Sequence, residues 1–157
     1  MTGSHRQQGT ETPERLTVVA WRDPLVEASG HRPGSPYVEA VWLGTLGPST
    51  TLCWQRLSRL AATGPGTQID TADLSRSLGL GDGLGRNAPV SRTLARMVAF
   101  GAATRTGDTL AVRLALADVP DRQLPRLSRS AQLAHRRWGH TLDTPATPDS
   151  PIPVMAR

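Results

Sequence analysis

The chain has 157 residues, which is enough for one domain of ordinary size with tails. Its net charge is +5, and all 18 basic residues are arginines. Because lysine is absent, a Walker A phosphate loop, a Schiff-base lysine and a Ser-Lys dyad are excluded. The single cysteine, Cys53, excludes an internal disulfide and fits a reducing compartment. No apolar run is long enough for a membrane span, and the N-terminus lacks an apolar signal core, so we expect a cytoplasmic protein.

The positive charge is concentrated in the middle of the chain. Residues 36–140 carry 13 arginines and 7 acidic residues, whereas residues 1–35 carry four of each. Residues 1–14 lack hydrophobic periodicity and residues 141–157 are proline-rich, so both segments are predicted to be disordered. We therefore predict one domain over residues 15–140, and any polyanion-binding surface is expected there.

A strand and two helices are predicted first in chain order. The partly β-branched run 16–21 predicts a strand, which we place at an edge of the sheet. A helix is expected to begin at Ser35, which is followed by proline, and to end at Gly47. The longest helix is predicted over residues 49–63, with Cys53 on its core stripe.

A pair of helices is predicted next. Asp70 is expected to cap the first of them, which Gly79 ends. The glycine-rich segment 79–87 lacks the spacing of a dinucleotide-binding loop and follows a helix, so it is interpreted as a flexible connection. The second helix is predicted over residues 88–100.

A tight hairpin and a basic helix complete the chain. Residues 102–105 and 109–114 predict two strands joined by the turn 106–108. Residues 126–138 predict a helix that is rich in arginine. Its role stays open between a helix that covers the core, a clamp for phosphates and a dimerisation helix through Leu127, Leu133 and Trp138.

This order of elements indicates a winged helix-turn-helix. From Ile69 to Arg113 the chain resembles winged helix-turn-helix DNA-binding regulators. The expected fold class is therefore mainly α with a small β wing (α+β), with extra helices at both ends of the chain. A longer stretch up to Trp138 resembles a group of uncharacterised actinobacterial proteins, and this resemblance implies no function. It is carried by the segments 30–39, 46–50 and 85–89.

The second helix of the pair carries the main functional signal. Its predicted core stripe consists of Val90, Leu94, Met97 and Val98, which leaves small residues and two arginines facing outward. Arg92 and Arg96 share a face because they lie four residues apart. The small outward residues are Ser91, Ala95 and Ala99, which would permit close approach to phosphates and base edges.

Further candidates flank this helix. Asn87 stands at its N-terminus, either as a helix cap or as a contact to adenine. The predicted wing carries Arg105 and Arg113. They are interpreted either as contacts to a DNA groove or as charged residues that keep the hairpin from aggregating. The predicted DNA-binding residues are Arg86, Asn87, Ser91, Arg92, Arg96, Arg105 and Arg113.

The sequence thus predicts a transcription regulator that places helix 88–100 in the major groove of double-stranded DNA. A nucleoid-associated homodimer is expected, because two half-sites provide useful affinity. The alternative is a winged-helix protein-protein interaction module in a transcription or replication complex. The usual hydrolase and metal-ligand motifs are absent, so we expect no enzymatic activity, cofactor, metal, small-molecule ligand or membrane association.

Overall fold

A four-stranded mixed sheet lies at the centre of the structure, a computed structural model that describes residues 11–138. Its strands are β1 (Arg15–Trp21), β2 (Thr67–Asp70), β3 (Ala103–Thr106) and β4 (Thr109–Arg113), in the spatial order β2-β1-β4-β3. β1 pairs antiparallel with β2 and parallel with β4, and β3 and β4 form an antiparallel hairpin. The arrangement is compatible with the expected α+β class.

The position predicted for the first strand was wrong. The run 16–21 does form a strand, but it lies inside the sheet and not at its edge. Leu16 pairs with Ile69 of β2, and Val18 pairs with Leu110 of β4. Both Leu16 and Val18 have a solvent-exposed fraction of 0%. Burial between two neighbouring strands therefore decides the position of β1, and β2, which was not predicted, takes one edge.

A π-helical turn over Val38–Trp42 runs directly into the short helix Leu43–Leu46. A 3-10 turn over Asp121–Arg126 precedes the last helix. The helices are α1 (Pro24–Ser29), α2 (Leu43–Leu46), α3 (Pro48–Ala62), α4 (Thr71–Ser77), α5 (Pro89–Ala99) and α6 (Arg129–Trp138).

The helix starts follow from local residue chemistry. Gly47 has a φ of 83°, which favours glycine, and Pro48 occupies the first turn of α3. Asp70 caps α4 as predicted, because its Oδ1 accepts a hydrogen bond from the Asp73 amide at 2.8 Å. The expectation that Asn87 caps α5 was wrong: Ala88 is the N-cap residue, and no side chain caps this helix.

The longest helix, α3, anchors the core on the sheet. Cys53, Trp54 and Leu57 have exposed fractions of 0%. The Trp54 Nε1 donates a hydrogen bond to the Arg113 carbonyl at 2.8 Å, which joins α3 to β4. Burial raises the pKa of the Cys53 thiol to about 12, which agrees with the core role predicted for this residue.

Part of the predicted N-terminal disordered segment makes specific contacts. Of residues 1–14, the structure describes 11–14. Thr12 is buried, and its hydroxyl donates to the Ser91 hydroxyl at 2.7 Å. The Thr71 hydroxyl donates to the Pro13 carbonyl at 2.6 Å. The predictions for residues 1–10 and 141–157 lie outside the described residues. Within residues 11–138, no helix has the length and apolar character needed to cross a bilayer.

Candidate nucleic-acid interface

The outward face of α5 is largely the one that the sequence predicts. Arg92, Ala95, Arg96 and Ala99 are exposed, whereas Val90, Leu94 and Met97 are buried. The solvent exposure of two residues is the reverse of the prediction. Val98 is 40% exposed instead of buried, and Ser91, predicted to face outward, is only 8% exposed.

Ser91 serves the fold because two other segments hold its hydroxyl. It accepts a hydrogen bond from Thr12 at 2.7 Å and donates one to the Leu84 carbonyl at 3.2 Å. The residue therefore ties α5 to the N-terminal segment and to the glycine-rich loop. We remove its hydroxyl from the predicted set of direct DNA contacts.

The two α5 arginines, Arg92 and Arg96, lack an acidic partner within the described residues. Arg92 is exposed, and its guanidinium makes no hydrogen bond in this part of the chain. Arg96 Nη2 donates to the Thr45 carbonyl at 2.6 Å, and its guanidinium carbon lies 5.2 Å from the centre of the Phe100 ring. Arg96 is therefore held in place by neutral groups, without an acidic partner within the described residues.

A second pair of arginines lines a cavity beside α5. Arg86, in the loop before α5, and Arg105, on β3, line a cavity of about 380 Å³ together with Asn87. The Arg105 guanidinium donates to the carbonyls of Gly107 and Glu11, at 3.1 and 3.3 Å. These bonds orient Arg105 without neutralising it. The cavity floor is apolar and includes Leu94, Ala95 and Val98.

Arg113 differs from the other predicted contact residues because it is already paired. Its Nη1 lies 2.9 Å from the Asp23 carboxylate, and its Nε donates to the Gly101 carbonyl at 2.9 Å. The guanidinium also stacks 3.7 Å from the centre of the Trp21 ring. This bond from Arg113 holds the pKa of Asp23 below its usual value. Arg113 is thus committed to the fold, and we remove it from the candidate interface.

The glycine-rich loop before α5 is attached to the preceding helix. The Ser75 hydroxyl donates to the Gly81 carbonyl at 2.6 Å, and Arg76 pairs with Asp82 at 3.2 Å. The Leu80 amide also donates to the Ser75 carbonyl. These contacts fix the direction in which the chain enters α5.

Sequence reasoning missed three polar residues next to the α5 arginines. Ser49, Thr50 and Thr93 line a cavity of about 340 Å³ between α3 and α5. Arg92 and Arg96 lie in the same wall. A sequence pattern could have indicated them: α3 and α5 both begin with a small residue followed by proline, at Gly47-Pro48 and at Ala88-Pro89. In both places the capping residue has no side-chain acceptor.

A cluster of aromatic and charged residues connects α6 to the rest of the fold. His31 Nε2 lies 2.6 Å from an Asp118 carboxylate oxygen, and its ring stacks on Tyr37 at 3.7 Å. The Tyr37 hydroxyl accepts from the Val119 amide at 3.0 Å and lies 2.8 Å from His135 Nδ1. Burial raises the pKa of Tyr37 to about 12. No group of three metal-ligating side chains occurs within residues 11–138.

α6 packs through one face and exposes the other. Leu127, just before it, and Ala131 are buried, whereas Leu133 is 54% exposed. Arg129, Arg136 and Arg137 are exposed as well. The buried face favours a helix that covers the core among the three roles left open by the sequence.

Comparisons with models of protein families, with curated proteins and with solved structures found no match to this chain. The residues and their geometry therefore provide the basis for inferring a function.

Proposed function

We propose that this protein binds double-stranded DNA and acts as a transcription regulator. In this proposal α5 enters the major groove, and the β3–β4 hairpin lies beside it as a wing. The order α3, β2, α4, α5 and β3–β4 hairpin is that of a winged helix-turn-helix. β1 would then be an additional strand, inserted between β2 and the β3–β4 hairpin.

The observation that carries this proposal is a set of arginines without carboxylate partners around one helix. Arg86, Arg92, Arg96 and Arg105 lie on α5 or in the segments that flank it, and none forms an ion pair within residues 11–138. Like charges in one region repel each other, so such a set favours binding to a polyanion. The DNA backbone supplies a row of phosphates with the required charge.

The arginines are suited to different contacts. Arg92 is exposed and unbonded within the described chain, so its fork can turn to a guanine edge or to a backbone phosphate. Arg96 is fixed by Thr45 and therefore suits a phosphate in a fixed position. Ala95 and Ala99 lie on the same exposed face, and their small side chains let the helix approach the base edges. Asn87 is exposed near the start of α5, where it can contact adenine.

The proposal is tested with the full chain and a fluorescent duplex, titrated at several salt concentrations. We compare Arg92→Ala/Arg96→Ala with Arg22→Ala/Arg32→Ala, which removes the same charge. Arg22 follows the C-terminal end of β1, whereas the wing turn at Asp108 contacts Thr17 near the other end of that strand. The first variant should bind at least about tenfold more weakly, with a log–log salt slope smaller by about 2. The control should bind like the wild type.

Equal affinity of the two double variants would contradict this docking mode. Absence of binding at low salt would contradict DNA binding itself and favour the protein-protein interaction module. Sequencing genomic fragments that co-purify with the protein separates the remaining cases. A few sharp sites are expected for a regulator, whereas random fragments would contradict the regulatory role.

A further inference from the structure

The cavity between α3 and α5 is formed by the first turns of both helices. Ser49 and Thr50 belong to the first turn of α3, and Pro89 and Thr93 lie in the first two turns of α5. Its volume is about 340 Å³. Two helices of 15 and 11 residues therefore present the positive ends of their dipoles to one space.

Neither helix neutralises its own first N–H groups with a side chain. The N-cap residues are Gly47 and Ala88, and no side-chain hydrogen bond caps either helix. The first amides of a helix have no acceptor within the helix. Without side-chain caps these donors stay available, and an anion is the favourable partner at such a position.

Two buried threonines with unpaired hydroxyls in the cavity wall provide an independent indication of a ligand. Thr50 is 3% exposed and Thr93 is 6% exposed, and both line the cavity. Neither hydroxyl has a hydrogen-bond partner within residues 11–138, in contrast to that of Thr51, which donates to the Gly47 carbonyl at 2.8 Å. Both hydroxyls remain open to the cavity although the rest of each residue is buried, so both are free to donate to an acceptor that enters it.

The charge of the cavity wall defines the ligand chemistry. Arg92 and Arg96 contribute two guanidinium groups. The other lining residues are neutral: Ser49, Thr50, Leu80, Pro89 and Thr93. With donors on every polar wall and no acidic residue, the cavity suits an anion that accepts many hydrogen bonds.

We propose that this cavity binds one phosphate group, held by Arg92, Arg96 and the hydroxyls of Thr50 and Thr93. The inference deepens the proposed function if the phosphate belongs to the DNA backbone, and it rests on that function in this case. A free phosphate or a small phosphorylated molecule presents the same chemistry. The bound phosphate would sit at the α3 side of α5 and fix the position of this helix along the duplex.

The test uses the full chain and variants of Thr50 and Thr93 that either remove or keep the two hydroxyls. Thr50→Val/Thr93→Val lacks both hydroxyls, and Thr50→Ser/Thr93→Ser keeps them. Thr51→Val is the matched control, since it removes a neighbouring buried hydroxyl that is already bonded. Inorganic phosphate and chloride at equal ionic strength are compared by the shift in Tm and by calorimetric titration, and duplex DNA by fluorescence anisotropy.

We expect phosphate to raise the Tm of the wild type and of the serine variant more than chloride does. The valine double variant should keep the Tm of the free wild type and bind inorganic phosphate, DNA or both about tenfold more weakly. Loss of affinity for both ligands assigns the site to a DNA phosphate. Loss of affinity for inorganic phosphate alone assigns the site to a small phosphorylated ligand. Loss of affinity for DNA alone assigns it to the phosphodiester backbone of DNA.

The inference is overturned if the valine double variant binds both ligands like the wild type. It is also overturned if that variant has a lower Tm than Thr51→Val before any ligand is added, because the hydroxyls would then serve the fold. Binding of wild-type protein to duplex DNA is measured in the same series. If the wild type binds duplex DNA and the valine double variant binds both DNA and inorganic phosphate with the same affinity as the wild type, the phosphate site is refuted. The proposed function then remains intact.

Discussion

Two groups of arginines in this molecule have opposite surroundings. At the junction of β1, α1 and β4, Arg22 and Arg113 each lie 2.9 Å from a carboxylate. Around α5, Arg92 and Arg96 have no such partner within residues 11–138. The net charge of the protein does not distinguish these two groups. Only Arg92 and Arg96 can bind a polyanion without first breaking an ion pair within the protein.

The two groups of arginines are expected to have opposite effects on stability and on binding. Arg113 should contribute to stability, because its pair with Asp23 and its stacking on Trp21 bring β4, α1 and β1 together. The α5 arginines should contribute to binding and little to folding. Three further substitutions test this division.

The largest effect on stability is expected for Arg113→Ala. The substitution removes a hydrogen bond to Gly101, uncovers the Trp21 ring and leaves Asp23 without its partner. The free energy of unfolding should fall by about 2–4 kcal/mol, as measured by urea denaturation. DNA affinity at a temperature where the variant is folded should change less than about twofold. A stable variant with weak DNA binding would return Arg113 to the interface.

A smaller effect, with a distinct dependence on pH, is expected for Asp23→Asn. The hydrogen bond from Arg113 lowers the pKa of Asp23 in the folded state. A carboxyl with a lowered pKa contributes stability above its unfolded value of about 4, and this contribution disappears as the pH falls through the folded value. Asparagine keeps the capping oxygen for the Val26 amide but loses the charge.

The variant Asp23→Asn should therefore be less stable than the wild type at pH 7. The two urea midpoints should converge as the pH falls below about 4. Parallel profiles down to pH 2.5 would show that the Asp23–Arg113 pair does not depend on the carboxylate charge.

The smallest effect is expected for Arg105→Ala. Its guanidinium donates to one carbonyl in the β3–β4 hairpin and one in the N-terminal segment, and its partial exposure leaves room for one phosphate. DNA affinity should fall only severalfold, with a salt slope smaller by about 1. Arg22→Ala is the control, since it removes one charge from the opposite group. An unaltered salt slope for Arg105→Ala would exclude the β3–β4 hairpin from the interface.

Local patterns were sufficient for the helices that build the candidate interface. Gly47-Pro48, Asp70 and the stripe of Val90, Leu94 and Met97 place α3, α4 and α5 within a few residues of their observed bounds. Capping and amphipathic spacing act over one or two turns, so they can be read without knowing the rest of the fold. The turn at Gly107, with a φ of 62°, is local in the same way.

Pairing between distant segments was beyond local reasoning. β2 consists of four residues, and it pairs with a strand about 50 positions earlier in the chain. Ser91 was predicted to face outward, because its helical position alone does not reveal that Thr12 covers it. α1 was not predicted either, although Asp23 caps it and also neutralises Arg113.

By itself the sequence determined where α3, α4, α5 and the hairpin begin and end, and which side of α5 carries arginine. Tertiary structure decided which arginines are free, because ion pairs such as Asp23–Arg113 join residues that are 90 positions apart. It also brought the starts of α3 and α5 to one cavity. The reason is physical: hydrogen bonds within a helix depend on neighbours in sequence, whereas burial and charge pairing depend on neighbours in space.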